Sequence, residues 1–179
     1  MASTSQLNSV TIFQHKNSKN KLTYAAWNYR GLSGPEHHPK KLLLSDLNKD
    51  LYILNEQWTT QNVSGYNCET EINKNTRNGK INSRILVKNS LLYSTVNDHD
   101  IDNTVFIILR KLKIIVVSVY LRPRSADLNE MIMRHLQAYL NHASARMPDH
   151  SILLVGDINR MDGVVNSLIG TLLNKISPK

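Results

Sequence analysis

Residues 104–121 read TVFIILRKLKIIVVSVYL, two runs of β-branched and aliphatic side chains separated by a short basic segment. Each run has the length and composition of a strand, so the segment reads as two strands joined by a tight turn. Arg110, Lys111 and Lys113 mark that turn, and Pro123 stops the second strand. A chain committed to such strands must build a sheet around them. The segment that follows, DLNEMIMRHLQAYLNHASARM (127–147), spaces Met131, Ile132, His135, Leu136, Tyr139 and Leu140 as a helix would, and Pro148 ends it.

The remaining elements fall around this centre. KLTYAAWN (21–28) has strand composition and runs into a turn at 29–31. Pro39 suits a first helical turn and LLLSDLNKD (42–50) supplies a short amphipathic helix. LYILNEQW (51–58) is a second strand, residues 62–65 turn the chain, and 66–72 can pair with 81–88. SILLVGD (151–157) is a further strand and 164–176 a final helix, whereas residues 1–20 read as a loosely ordered arm. The expected organisation is that arm followed by a single layered α/β (α+β) domain over 21–179.

Composition narrows the function classes. The chain has 179 residues, 41% hydrophobic, and no stretch approaches the apolar length of a bilayer span. The polar, Asn/Ser-rich start carries no apolar signal region and Cys68 is the only cysteine, so an intracellular, non-secreted protein of nucleus or cytoplasm is expected. The formal charge of +8 is permissive for polyphosphate partners. It is spread over HKNSKNK (15–21), HHPKK (37–41), NKNTRNGK (73–80) and the strand-end segments 110–113 and 121–124.

Polar residues wait where the strands end. Asn28 closes the first, Asn55 and Glu56 the second, Tyr120 the third, and Asp157 with Asn159 the strand of SILLVGDINR. Taken singly, Gly156-Asp157 reads as a turn, Glu56 as an exposed residue and Tyr120 as a core aromatic. Taken together, aligned strands can deliver their ends to one rim of a sheet.

AAWNYRGL (25–32), LYILNEQW (51–58), SVYLRP (118–123) and LLVGDIN (153–159), in this order, resemble the endonuclease/exonuclease/phosphatase superfamily, and most of all the endonuclease domains of non-LTR (LINE-type) retrotransposons. The resemblance covers roughly residues 22–175, with a weak match at GKINSRILVKNSL (79–91) and a further one at NSLIGTLLNKI (166–176). It implies two packed, mostly antiparallel sheets flanked by helices, the second sheet incomplete. It also implies a site in which Glu56 holds Mg²⁺ (or Mn²⁺), Asp157 activates water, Asn159 steadies the phosphate, Asn28 positions Asp157 or the phosphate, and Tyr120 contacts a phosphate oxygen. DNA is the implied partner, with Arg30, Arg122, Arg124 and Arg160 as contacts, and with neither a membrane nor a small-molecule cofactor. Arg30 stands where the apurinic-site repair branch has an acidic residue, which suits the retroelement branch.

The family continues past GDxN to a Ser-Asp-His motif, and this sequence ends at Lys179 without one. Asp149-His150 and Asp98-His99 precede the GDIN strand and the third motif respectively, and read as surface residues. A C-terminally truncated domain with uncovered sheet edges, open to self-association, is the resulting expectation. Three functions stand: DNA nicking by Mg²⁺-dependent hydrolysis, a catalytically impaired nucleic-acid-binding remnant, and a phosphatase of the same superfamily.

Overall fold

The computed structural model describes residues 9–14, 22–28, 38–56, 62–70, 81–96 and 101–158. The first half carries β1 (Ser9–Gln14), β2 (Tyr24–Asn28), α1 (His38–Leu47), β3 (Leu51–Asn55) and β4 (Tyr66–Thr70). The second carries β5 (Ser83–Lys88), β6 (Ser94–Thr95), β7 (Thr104–Leu109), β8 (Ile114–Leu121), α2 (Ala126–Arg146) and β9 (Ser151–Ile158). Strands β1-β9-β8-β7-β6 form one sheet and β2-β3-β5-β4 the other. Both are mixed: β8 with β9 and β2 with β3 run parallel, and the other neighbours run antiparallel.

Pleat alternation builds the core. Leu51, Ile53, Ile85 and Val87 from the four-stranded sheet meet Val105, Ile107, Leu109, Ile114, Val116, Leu153 and Val155 from the other. The alternate residues face outward, and there helices cover them. Phe106, Ile108, Ile115, Val117, Ile152 and Leu154 pack on α2, while Tyr52, Leu54 and Leu86 pack around Leu44 of α1. The result is a four-layer α/β sandwich. Strands covered on both faces have no solvated side, which is why β7 and β8 are buried throughout and mostly apolar.

The 110–113 turn joins β7 and β8 as the sequence suggests, with Leu112 N–H on Leu109 O at 3.1 Å. Two expectations need correcting. Residues Ser9–Gln14 of the supposed loose arm form a strand, paired antiparallel with β9 through Ser9 opposite Asp157. On α2 the buried stripe is Asn129, Ile132, Met133, Leu136, Tyr139, Leu140 and Ala143, whereas Met131 and His135 are exposed. The stripe is rotated because the sheet receives Met133 and Ala143 one turn apart from Leu136 and Tyr139, leaving the 131/135 flank in water. The helix expected over 164–176 lies outside the described residues. Among the described residues no helix is long and apolar enough to cross a membrane.

Gly156 is the tightest joint in this frame. It sits within β9 opposite Val119 of β8, and a Cβ there would collide with the Val119 carbonyl oxygen and Cγ1. So Gly156 is a strand residue that lets two parallel strands close up, and the turn reading of Gly156-Asp157 falls away. Because the obstructing atom is backbone, the clash cannot be relieved by a side-chain rotation. Gly156→Ala is expected to lose about 1–3 kcal/mol of stability, read as a fall of several degrees in the thermal midpoint.

Candidate active site

The same alternation that packs the core selects the residues at one end of it. Counting up β3 by twos from Leu51 and Ile53 leads to Asn55; along β5, Ile85 leads back to Ser83. On β8, Ile114 and Val116 are followed by Ser118 and Tyr120, and on β9, Leu153 and Val155 by Asp157. On β2, Tyr24 and Ala26 lead to Asn28. All six therefore sit on inward positions at the same end of the sandwich, fixed by the registers Asn28 opposite Asn55, Asn55 opposite Ser83, and Tyr120 opposite Asp157.

Hydrogen bonds join the sheets at this end. Asn28 Nδ2 donates to Asp157 Oδ2, linking residues 129 positions apart. Tyr120 Oη donates to Glu56 Oε1 at 2.7 Å. Beneath them Ser83 Oγ and Ser118 Oγ lie 2.5 Å apart, and Asn55 Nδ2 reaches Asn82 O, Ser83 Oγ and Val119 O, each at 3.4 Å. Asn55, Ser83, Ser118 and Asp157 are all buried. A polar layer thus separates the apolar core from the rim, its members bonded as buried polar groups must be.

Glu56 itself is held in an unusual way. It follows β3 with φ at 54°, in the left-handed region that a Glu rarely adopts and that costs about 1–3 kcal/mol. Its N–H donates to Asn82 O at 2.9 Å and its carboxylate accepts from Tyr120, so the neighbours hold it there. Tyr120 has its pKa raised above the ordinary value of 10.0, first by burial, then by its bond to Glu56 and by the charges of Glu56 and Asp157. Both carboxylates therefore act on one phenol. The positive charge of Arg122 pulls that pKa the other way. Asn129 fixes the Arg122 backbone, Oδ1 accepting from its N–H at 2.9 Å and Nδ2 donating to its carbonyl at 2.8 Å.

Solved structures share this fold. An endonuclease domain of TRAS1, a telomere-specific non-LTR retrotransposon, superposes with TM-score 0.64 at 15% identity, covering 87% of this chain and 71% of that one. TDP2 from C. elegans gives 0.59 at 17% identity over 80% of this chain and 49% of its own length. A mannosyl-6-phosphatase from Bacteroides thetaiotaomicron gives 0.61 at 12% identity over 84% and 71%. This is the endonuclease/exonuclease/phosphatase fold. No family model matches the sequence, and no curated protein does either.

Within that fold, the expected site residues Asn28, Glu56, Tyr120 and Asp157 come together, and Arg122 borders them. Arg124 is exposed with φ at 61° just before α2. Asn159, Arg30 and Arg160 lie outside the described residues, as do Asp98 and His99. Asp149 is exposed and paired to Lys113 at 3.4 Å, at the β8-start end of the sheet and away from the rim. Sequence reasoning gave no role to Asn55, Ser83, Ser118, Asn82 or Asn103. The signal for Ser118 was legible, a lone polar residue at an inward position of IIVVSVYL.

Among the described residues no three His, Cys, Asp or Glu side chains cluster, so the donors are a mixed oxygen set. That set suits a hard divalent cation, which takes one or two carboxylates and leaves the rest to water and phosphate. A buried Asn28 carbonyl oxygen, with no hydrogen-bond partner among the described residues, adds an oxygen beside Asp157. Glu56 is the residue that would hold the ion.

Folding favours the protonated Tyr120, so the stabilisation this brings is complete below pH 10 and is lost as pH rises through the raised folded-state value. Accordingly, the difference in thermal midpoint between the parent and Tyr120→Phe is expected to be constant from pH 7 to about 9 and to shrink above about 10. A gap that widens with alkali would contradict the Tyr120–Glu56 contact.

Proposed function

We propose that this chain hydrolyses phosphodiester bonds of DNA, nicking it as a retrotransposon-type endonuclease, with Mg²⁺ as the working ion and Mn²⁺ as a substitute. The observation that carries the reading is the meeting of Asn28 with Asp157 and of Tyr120 with Glu56 at one rim. The likeness to a domain named as an endonuclease supports it.

The residues divide the work as follows. Asp157 accepts the proton of the attacking water, and the Asn28 amide, donating to its other oxygen, fixes the carboxylate toward that water. Water oxygen bonds to phosphorus as the bond to the leaving sugar oxygen breaks. Tyr120, kept protonated by burial and by its carboxylate neighbours, turns its single hydroxyl proton from Glu56 to a phosphate oxygen when the substrate is seated. Asn159 follows Asp157 by two and adds an amide donor to the developing charge. A divalent ion on Glu56 would neutralise charge on the scissile phosphate and the leaving oxygen. Arg122 attracts the DNA backbone without reading sequence, together with Arg30, Arg124 and Arg160.

Supercoiled plasmid with Mg²⁺ is the direct assay. Glu56→Ala and Asp157→Ala are each expected to slow nicking by about 10²–10³-fold. Equal nicking by the parent and both variants would assign the activity to something else. Arg122→Ala is expected to weaken duplex binding for all sequences alike and to lower the slope of log affinity against log salt by about 1.

A further inference from the structure

The chemistry above leaves one rim contact unused. Asn82 lies just before β5 in the four-stranded sheet, and Asn103 just before β7 in the five-stranded one. Asn82 Nδ2 donates to Asn103 Oδ1 at 2.9 Å, with Asn103 fully buried and Asn82 nearly so. From each of these residues the backbone carbonyl reaches one member of the Glu56–Tyr120 pair. Asn82 O accepts from Glu56 N–H at 2.9 Å, and Asn103 O accepts from Tyr120 N–H at 2.9 Å. With the Tyr120–Glu56 bond at 2.7 Å, the four residues close a ring that crosses between the sheets twice.

Asparagine is the residue this corner calls for. Asn103 has φ at 58° in the turn over 101–104, which Thr104 tightens by donating its N–H at 3.3 Å and its hydroxyl at 2.6 Å to Ile101 O. Asn accepts a left-handed backbone more readily than most residues and also offers a side-chain carbonyl. Glycine would accept the backbone but offer no acceptor.

We propose that Asn103, acting through Asn82, is a positioning residue that sets where Glu56 stands relative to Tyr120, and so tunes the affinity of the rim for a divalent cation. The inference rests on the nuclease reading, in which Glu56 is the metal-holding carboxylate. Glu56 has a strained backbone whose N–H is anchored on Asn82 O, so a shift of that carbonyl moves the Glu56 carboxylate relative to Tyr120. Asn82 O, in turn, is fixed across the gap by Asn103. An amide pair that merely stitched the sheets together would contribute stability and leave the ion's affinity unchanged.

The test measures Mn²⁺ binding directly by electron paramagnetic resonance on the full chain, alongside thermal midpoints and the Mg²⁺ dependence of nicking. Asn103→Gly keeps the turn and removes the acceptor; Asn82→Ala keeps the carbonyl that Glu56 uses and removes the donor. Each is expected to weaken Mn²⁺ about tenfold, to raise the Mg²⁺ needed for half-maximal nicking similarly, and to recover most of the rate at saturating Mg²⁺. The double variant is expected to be no weaker than either single one, since both sever the same bond. Should the glycine variant fail to fold, Asn82→Ala carries the test alone. Parental Mn²⁺ affinity in the folded variants, whatever their thermal midpoints, overturns the proposal, and so does a double variant weakened by the product of the two single effects. A parent that binds Mn²⁺ no better than Glu56→Ala overturns the metal-site reading itself and this inference with it, a result separable by that control.

Discussion

Two sheets facing each other with a side-chain period of two leave little choice about what meets at their ends. Every inward position from Leu51 through Ile53 fixes Asn55 as inward too, and the same counting fixes Tyr120 and Asp157. A slip of one residue between β8 and β9 would turn Asp157 to the apolar face that packs on α2 and bury an unpaired carboxylate there, at a cost of several kcal/mol. The register of that parallel pair, Tyr120 opposite Asp157, is thus enforced by the core and inherited by the rim. Gly156 is the condition for it, since only a residue lacking Cβ lets β9 lie against the Val119 carbonyl.

The rim is assembled at some expense to stability. Asn55, Ser83, Ser118 and Asp157 are buried polar groups placed where apolar side chains would pack better, and Glu56 occupies a backbone region it would not choose. Such local conflicts with good packing are characteristic of functional sites. Here each has a bonded partner across the gap between the sheets, so the polar layer also locks the two sheets in one relative position. A looser arrangement would leave Glu56 and Asp157 to drift separately with their own sheets.

Strands β7, β8 and β9 could be read from the chain because they are largely apolar on both faces and bounded by turn residues or proline, whereas their order in the sheet could not. The convergence of Asn28, Glu56, Tyr120 and Asp157 was legible through the resemblance of the four ordered motifs, since a polar residue ending an apolar run is by itself equally a turn or surface residue. Edge strands were harder. YNCET of β4 lies at the edge of its sheet among the described residues and is only partly buried along its length, so its faces alternate weakly, and β1 sits in an Asn/Ser-rich stretch whose pairing with β9 leaves no mark in the sequence. The supporting amides were invisible for a different reason. Asn82 and Asn103 act through backbone carbonyls and a contact between sheets, and neither leaves a periodic trace. The offset of the α2 stripe was equally hidden, since Met131 and Met133 are alike in hydrophobicity and only the partner sheet decides which one is buried.

Crystals of the chain soaked in Mn²⁺ and measured at the manganese absorption edge give the most direct view of whether four strand ends make one cation-binding pocket. A single strong anomalous peak should appear in direct contact with the Glu56 carboxylate, on the side that Asp157 and Tyr120 share. A peak elsewhere on the molecule, or a Glu56 and an Asp157 that face different solvent, would contradict it.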